Sequence, residues 1–228
     1  MSLGPDIVTR GLVLTLDAAD KRSYPGTGTT WFDLVNSNNG TLTNGPIFNS
    51  GNGGYFGFDG TDDFVAVSNL GLSSNTIEGW FNSADNTQGG SSGGTIVSIF
   101  GNYTPNAGAV GKYTYIGVIP NLTFRIDDGV NSHVGIATVS YSANIWYNVA
   151  ITYNASNGAA KAYVNGEEVG VNNFTEDITF DSVDYDIAKS VNGNCFNGDV
   201  ALTKVYNRAL SAVEIKQNYN AVKNRFGL

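Results

Sequence analysis

"WYNVAITYNASNGAAKAYVNGEEVG", residues 146–170, alternates apolar and polar positions with a period of two and then turns on an Asn-Gly pair. In an extended chain Val149, Ile151 and Tyr153 share one face, while Asn148, Ala150 and Thr152 share the other. A helix would scatter the same residues around its circumference, whereas one half-buried antiparallel sheet collects them. Asn165 and Gly166 accept the two positive φ values of a type I′ turn, so the segment from Tyr163 to Glu168 reads as a β-hairpin.

Working outward, short β-patterned runs recur between turn signals. Leu12–Leu16, Tyr55–Phe58, Phe64–Val67, Thr76–Phe81, Thr95–Phe100, Tyr113–Ile119, Leu122–Ile126 and Val134–Val139 come first. Trp146–Tyr153, Lys161–Val164, Thr179–Ala188 and Asp199–Tyr206 follow. This spacing is the signature of an all-β sandwich or barrel. One helix is expected, at the C-terminus. Ser211 and Glu214 form a capping box, Ile215, Tyr219, Val222 and Phe226 recur at helical spacing, and Gly227 supplies the stop. Residues 10–228 read as one domain behind an N-terminal arm, residues 1–9.

The 228 residues include 29 glycines and are 41% hydrophobic but only 14% charged, a balance that favours many turns around a sizeable core. Twenty acidic against twelve basic residues give a net charge of −8. Without a basic cluster there is no source of phosphate neutralisation, which argues against nucleic acid and anionic membranes as partners. No apolar window is long enough to insert in a membrane. Cys195 is the single cysteine, which excludes an intrachain disulfide and a thiolate metal cluster. The start, Met1 to Asp6, has neither the basic nor the apolar region of a secretion signal, so folding in a cytoplasm is expected.

Seven segments, in order, resemble laminin-G-like jelly rolls of the concanavalin A-like lectin and glucanase superfamily. They are "GLVLTLDAADKRSYPGTGTTWFDL" (11–34), "NNGTLTNGP" (38–46), "YFGFDGTDDFVAV" (55–67), "TIEGWF" (76–81), "WYNVAITYN" (146–154), "AYVNGEEVG" (162–170) and "FNGDVALTKVYNRALSAVEI" (196–215). The resemblance runs from about Ile7 to Leu228. It implies a two-sheet antiparallel jelly-roll sandwich, about six or seven strands per sheet with one sheet concave, closed by one short C-terminal helix. Relatives bind carbohydrates, cell surfaces or proteins, and many bind calcium. The "YPGTGTTWFDL" wording is similar to structural proteins of large bacteriophages and to bacterial surface proteins.

Glucanases of this fold resemble one another in a strand that sets Glu-x-Asp-x-Glu or Glu-x-Asp-x-x-Glu carboxylates on one face, as glycoside cleavage needs. No such strand occurs. Glu78 stands alone, Asp184 and Asp186 share a face without a glutamate, and His133 is the single histidine. No enzyme is expected.

Acidic residues do recur at expected strand ends. "FDGTDDFVAV" carries Asp59, Asp62 and Asp63, and its first reading is a turn with Asp59 bonding its own amides. Asp62 and Asp63 are then expected to point outward and help bind calcium, a hard ion that takes carboxylate and carbonyl oxygens. In a jelly roll the terminal strands pair, which brings Asp17 near Asp199. The candidate structural calcium ligands are therefore Asp17, Asp62, Asp63 and Asp199. For a glycan, aromatic residues of Gly/Asn-rich loops supply stacking faces, and the candidates are Tyr24, Trp31, Tyr103 and Tyr113. Trp31 can equally pin its loop to the core. The expected function is a virion structural or decoration protein, with other virion proteins and cell-surface glycans as partners and the virion surface as location. The alternative is a carbohydrate-binding adhesion module on a bacterial surface.

Overall fold

A computed structural model describes residues 5–86, 97–101, 112–119, 121–128, 134–174, 184–189 and 195–228. In chain order the strands are β1 (Leu12–Asp17), β2 (Thr30–Trp31), β3 (Gly40–Thr43), β4 (Ile47–Asn49), β5 (Tyr55–Asp59), β6 (Phe64–Val67), β7 (Asn75–Ser83) and β8 (Val97–Gly101). They continue as β9 (Lys112–Ile119), β10 (Asn121–Asp128), β11 (Val134–Val139), β12 (Trp146–Asn154), β13 (Ala159–Val164), β14 (Glu167–Asn173), β15 (Tyr185–Ile187) and β16 (Asn197–Tyr206). A helix, α1 (Ala212–Val222), and a 3₁₀ turn at Lys223–Phe226 close the chain.

Two antiparallel sheets form. One runs β14-β13-β12-β7-β16-β5-β4, with β1 also on β16; the other runs β11-β10-β9-β8-β15-β6-β3-β2. Among the described residues each has eight strands, more than the six or seven expected. The extra ones include β2, β3 and β4, two to four residues long, too short to show alternation in a Gly/Asn-rich stretch. Of the expected run Thr179–Ala188, the described strand is Tyr185–Ile187, and residues 179–183 lie outside the described residues. Strands β1 and β16, from opposite ends of the sequence, pair as the jelly roll requires.

Between the sheets sits one apolar core containing Val149, Ile151, Tyr153, Phe56, Phe81, Phe100 and Phe124. The period-two reading of β12 therefore holds for its inner face. Its other face is buried too, with Asn148 and Ala150 fully covered. The cause is α1, which lies over β7, β12 and β16. Its Ser211 cap accepts from the Glu214 amide, and Gly227 ends the 3₁₀ turn at φ 74°. Trp80 is stacked between Tyr219 and Phe226, at 5.8 and 4.4 Å between ring centroids. The arm docks there as well: the Val8 amide donates to Asn218 Oδ1 at 2.8 Å. At the hairpin, Asn165 and Gly166 adopt φ 52° and 77°, as a type I′ turn demands. Among the described residues no helix is long and apolar enough to cross a membrane.

Candidate functional site

The register across the outer face of the helix-covered sheet brings four side-chain positions into one row. Asn82 on β7 pairs with Asp199 on β16, Asp199 pairs with Gly57 on β5, and Gly57 pairs with Ile47 on edge strand β4. Gly57 leaves a gap in that row, because a Cβ there would lie 3.4 Å from Asp199 Oδ1. The gap opens into a cleft of about 270 Å³ whose walls include Asp59, Asp63, Asn144 and Asn197. Asn144, at φ 59°, is fixed by its amide donating to the Ser83 carbonyl at 2.8 Å. Ile47, 73% exposed, forms an aliphatic lip.

Asp199 is the chemically distinctive member. No hydrogen bond or ion pair reaches its carboxylate among the described residues, and burial pushes its carboxyl up to about 6. The charge on Asp199 in turn adds to the burial that raises the Tyr55 phenol. A perturbed acid in a cleft is a recurrent mark of a functional site. Its folded pKa lies above the unfolded one, so its contribution to stability is complete below about 3.8 and lost as pH rises through about 6. Asp199→Asn is therefore expected to raise the melting temperature at pH 7.5 and leave it unchanged at pH 3.5. Melting curves at the two pH values check this, and equal shifts at both would remove the titration from the account.

The Asp59 turn adjoins this cleft. Asp59 Oδ1 accepts from the Thr61 amide at 2.8 Å, the expected local turn bond. Asp62 is exposed, as expected, but Asp63 is not outward: it is 4% exposed, and its Oδ2 accepts from the Asp59 amide at 3.2 Å. Burial, helped by the Asp59 and Asp62 charges, raises its carboxyl above the usual range despite that bond. One oxygen from each of the three carboxylates falls within 4.8 Å of the others. An all-oxygen set at this spacing fits a hard divalent cation, with oxygens at roughly 2.3–2.6 Å for calcium.

Asp17 does not join it. Its register partner on β16 is Leu202, three residues from Asp199 and thus ~10 Å along the strand. Its Oδ1 is taken by Arg225 Nη1 at 2.7 Å and the Ala19 amide at 2.9 Å. The guanidinium supplies the charge a cation would otherwise supply. Asp199 instead shares the cleft of Asp59 and Asp63.

The aromatic candidates fare differently. Trp31 is fully buried, 4.8 Å from Phe56, and Tyr24 is 7% exposed against Phe56 and Phe48 with its hydroxyl on the Gly28 carbonyl. Both pin the 25–30 loop to the core and leave no ring face for a sugar. Tyr103 lies outside the described residues, as does His133. The Tyr113 backbone pairs with Asp127 on β10. Glu78 is enclosed beneath α1 by Lys204, Asn148 and Asn218. Reading single residues missed Asn82 and Gly57, whose row exists only across four strands, and Asn144 and Asn197, which flank that row in the cleft wall. The available signal was the outward alternation Glu78, Trp80, Asn82 in β7.

A family profile, Laminin_G_3 of the concanavalin A-like lectin/glucanases superfamily, matches residues 59–216. No curated protein sequence matches the chain. Among solved structures, the chain is similar to the binding domain of Paraclostridial Mosquitocidal Protein 1, with TM-score 0.69, 19% identity, and 92% of this chain against 52% of that one. It is similar to the botulinum neurotoxin type G receptor binding domain, with TM-score 0.65, 16% identity, and 92% against 51%. It also resembles domain 4 of AbnA, a GH43 extracellular arabinanase from Geobacillus stearothermophilus, in complex with arabinotriose. There the TM-score is 0.62 and the identity 15%, with 91% of this chain aligned to 98% of that one. The chain thus spans about half the length of the two toxin domains and nearly all of the arabinanase domain. The profile covers more than half of the sequence and the jelly-roll topology agrees with it, so the chain belongs to the laminin-G-like family of the concanavalin A-like lectin/glucanases superfamily.

Proposed function

We propose that the protein is a non-catalytic glycan-binding module whose ligand sits in the Asn82–Asp199–Gly57–Ile47 cleft. The carrying observation is Asp199, a carboxylate to which no described residue donates, set beside a side-chain gap and among asparagine side chains. Sugar hydroxyls supply the missing donors, amides serve the remaining hydroxyls, and the Ile47 lip offers an apolar surface to ring C–H groups. The arabinotriose complex of the similar arabinanase domain supports a saccharide on this fold. The test is a glycan array followed by titration of the bound oligosaccharide. Asn82→Ala and Asp199→Asn are each expected to weaken binding ~10-fold or more, the worth of one charge-assisted hydrogen bond. No release of reducing sugar is expected from the same oligosaccharides. Array binding that both substitutions leave intact would remove this cleft from the account. The narrower setting, a virion surface, draws support only from the "YPGTGTTWFDL" wording; immunogold labelling of purified particles tests it.

Calcium at Asp59, Asp62 and Asp63 belongs to the same proposal, as a brace for the cleft wall. If it binds only the folded state, saturation at ~100-fold above its dissociation constant stabilises the fold by about 2.7 kcal/mol. Thermal melting with calcium and with chelator reads this directly. Asp62→Asn with Asp63→Asn is expected to abolish the difference. A midpoint indifferent to calcium in the wild type would leave these aspartates as turn chemistry alone.

A further inference from the structure

At the opposite end of the same sheet face lies a second and larger cleft, of about 500 Å³, between β12, β13 and the entry to α1. Thr152 on β12 pairs with Thr76 on β7, six residues before the Asn82 of the first cleft, so the two clefts are ~20 Å apart along the strands. Its walls carry Thr152, Asn154, Asn157, Lys161, Tyr163 and Arg208, with Leu210 and three alanines supplying apolar surface.

What these groups leave unused defines the ligand. Arg208 is committed to Glu214 through two bonds, at 2.5 and 2.9 Å, and to the Arg10 carbonyl. Lys161 is committed to Glu168 at 2.7 Å. Both cations are therefore neutralised, by Glu214 and Glu168, which leaves no net positive charge to hold an anion. By contrast the Tyr163 hydroxyl, on a residue 1% exposed, is buried without a partner among the described residues. A buried hydroxyl left unbonded is costly in a native fold, and a ligand group is one way to meet it. Tyr163 lies two residues from Lys161 on β13, so the two share one face of the strand, and both line this cleft. Asn154 and Asn157 spend their side-chain oxygens on the Ser156 and Ala159 amides, and their Nδ2 groups keep donors available. Among the described residues the Thr152 hydroxyl, also in the cleft lining, has no hydrogen bond either.

We infer that this cleft is a second binding site, for a neutral saccharide, independent of the Asp199 cleft. Hydroxyl and amide groups without net charge, over an apolar floor, match a polyol with a C–H face and match neither a phosphate nor a carboxylate. A module with two saccharide sites on one face engages a dense glycan surface with avidity beyond either site.

The test is NMR titration of the ¹⁵N-labelled full chain with glucose, galactose, mannose, N-acetylglucosamine and maltotriose, each to ~50 mM, a range that detects weak single-site binding. The expected result is amide shifts in residues 152–163 and 209–212 with at least one probe. Tyr163→Phe and Thr152→Val should each raise the dissociation constant ~10-fold, the loss of one hydrogen bond. Tyr163→Phe should not lower the melting temperature, because it deletes a hydroxyl the fold does not bond; a purely structural hydroxyl would lower it. Asn82→Ala acts on a different set of resonances, so failure of the first cleft is read separately. Absence of shifts here with all five probes, shifts indifferent to Tyr163→Phe and Thr152→Val, or a stronger response to acetate or phosphate would each overturn the inference.

Discussion

Ile151→Asp is expected to unfold the protein at neutral pH. Ile151 is fully buried in the inter-sheet core, on β12 between Ile77 of β7 and Ala162 of β13. The substitution forfeits the burial of a large aliphatic chain and places a carboxylate where no donor can reach it. Either the ion is desolvated unpaired or its pKa rises to avoid that, and both routes cost several kcal/mol. Added to lost packing of about 2–5 kcal/mol, the change rivals the whole stability of a typical domain, about 5–15 kcal/mol. Far-ultraviolet circular dichroism and urea unfolding measure it. Ile47→Asp is the control, since a side chain 73% exposed should change stability by less than about 0.5 kcal/mol. An Ile151→Asp protein with unchanged melting would mean that β12 presents its other face to the core.

That same strand shows how far the fold was legible. Period-two alternation places Val149, Ile151 and Tyr153 inward because the pleat leaves no other choice. The capping box at Ser211 and Glu214 and the Asn165-Gly166 turn are local chemistry, read within a few residues and found where expected. That α1 closes on the sandwich was legible. That it buries the second face of β12 was not, because this depends on where α1 lands after folding back from more than sixty residues downstream. Strands β2 and β4 owe their existence to partners already in place, not to their own two or three residues.

The candidate site divides in the same way. Asp59 announces its turn, since a carboxylate bonds the amide two residues on wherever the chain bends there. Whether Asp63 points out or in depends on which face of β6 abuts the Asp59 amide, a tertiary matter. Asp17 and Asp199 lie on terminal strands that do pair, yet the strand spacing and Arg225 keep them apart. Asp199 was visible as an acid, but its isolation from donors depends on β5, β7 and the bare Gly57. Trp31 looked like a loop aromatic by sequence and is core because Phe56 sits against it.

Glu78→Ala is expected to cost about 3–5 kcal/mol, the usual penalty for stripping one partner from a buried ion pair. Glu78 and Lys204 are both 1% exposed, with Nζ 3.3 Å from Oε1. The same Oε1 accepts from Asn148 Nδ2 at 3.1 Å, and Oε2 accepts from Asn218 Nδ2 at 2.7 Å. Asn218 in turn donates to the Tyr206 hydroxyl and holds the Val8 amide, while that hydroxyl donates to the Val8 carbonyl. One carboxylate thus joins β7, β12, β16, α1 and the N-terminal arm. Removing it leaves an ammonium and two amides without their acceptor under a sealed helix. Lys204→Met should be comparably costly, because it leaves the carboxylate unpaired. The double substitution should cost less than the sum by about 2 kcal/mol or more, since no uncompensated charge is left. Urea unfolding of the four proteins gives this coupling, and hydrogen exchange of α1 shows whether the helix loosens first. A Glu78→Ala loss below about 0.5 kcal/mol would mean that water reaches Lys204, so that α1 does not seal the face and Glu78 regains the access to ligand that its burial denies it.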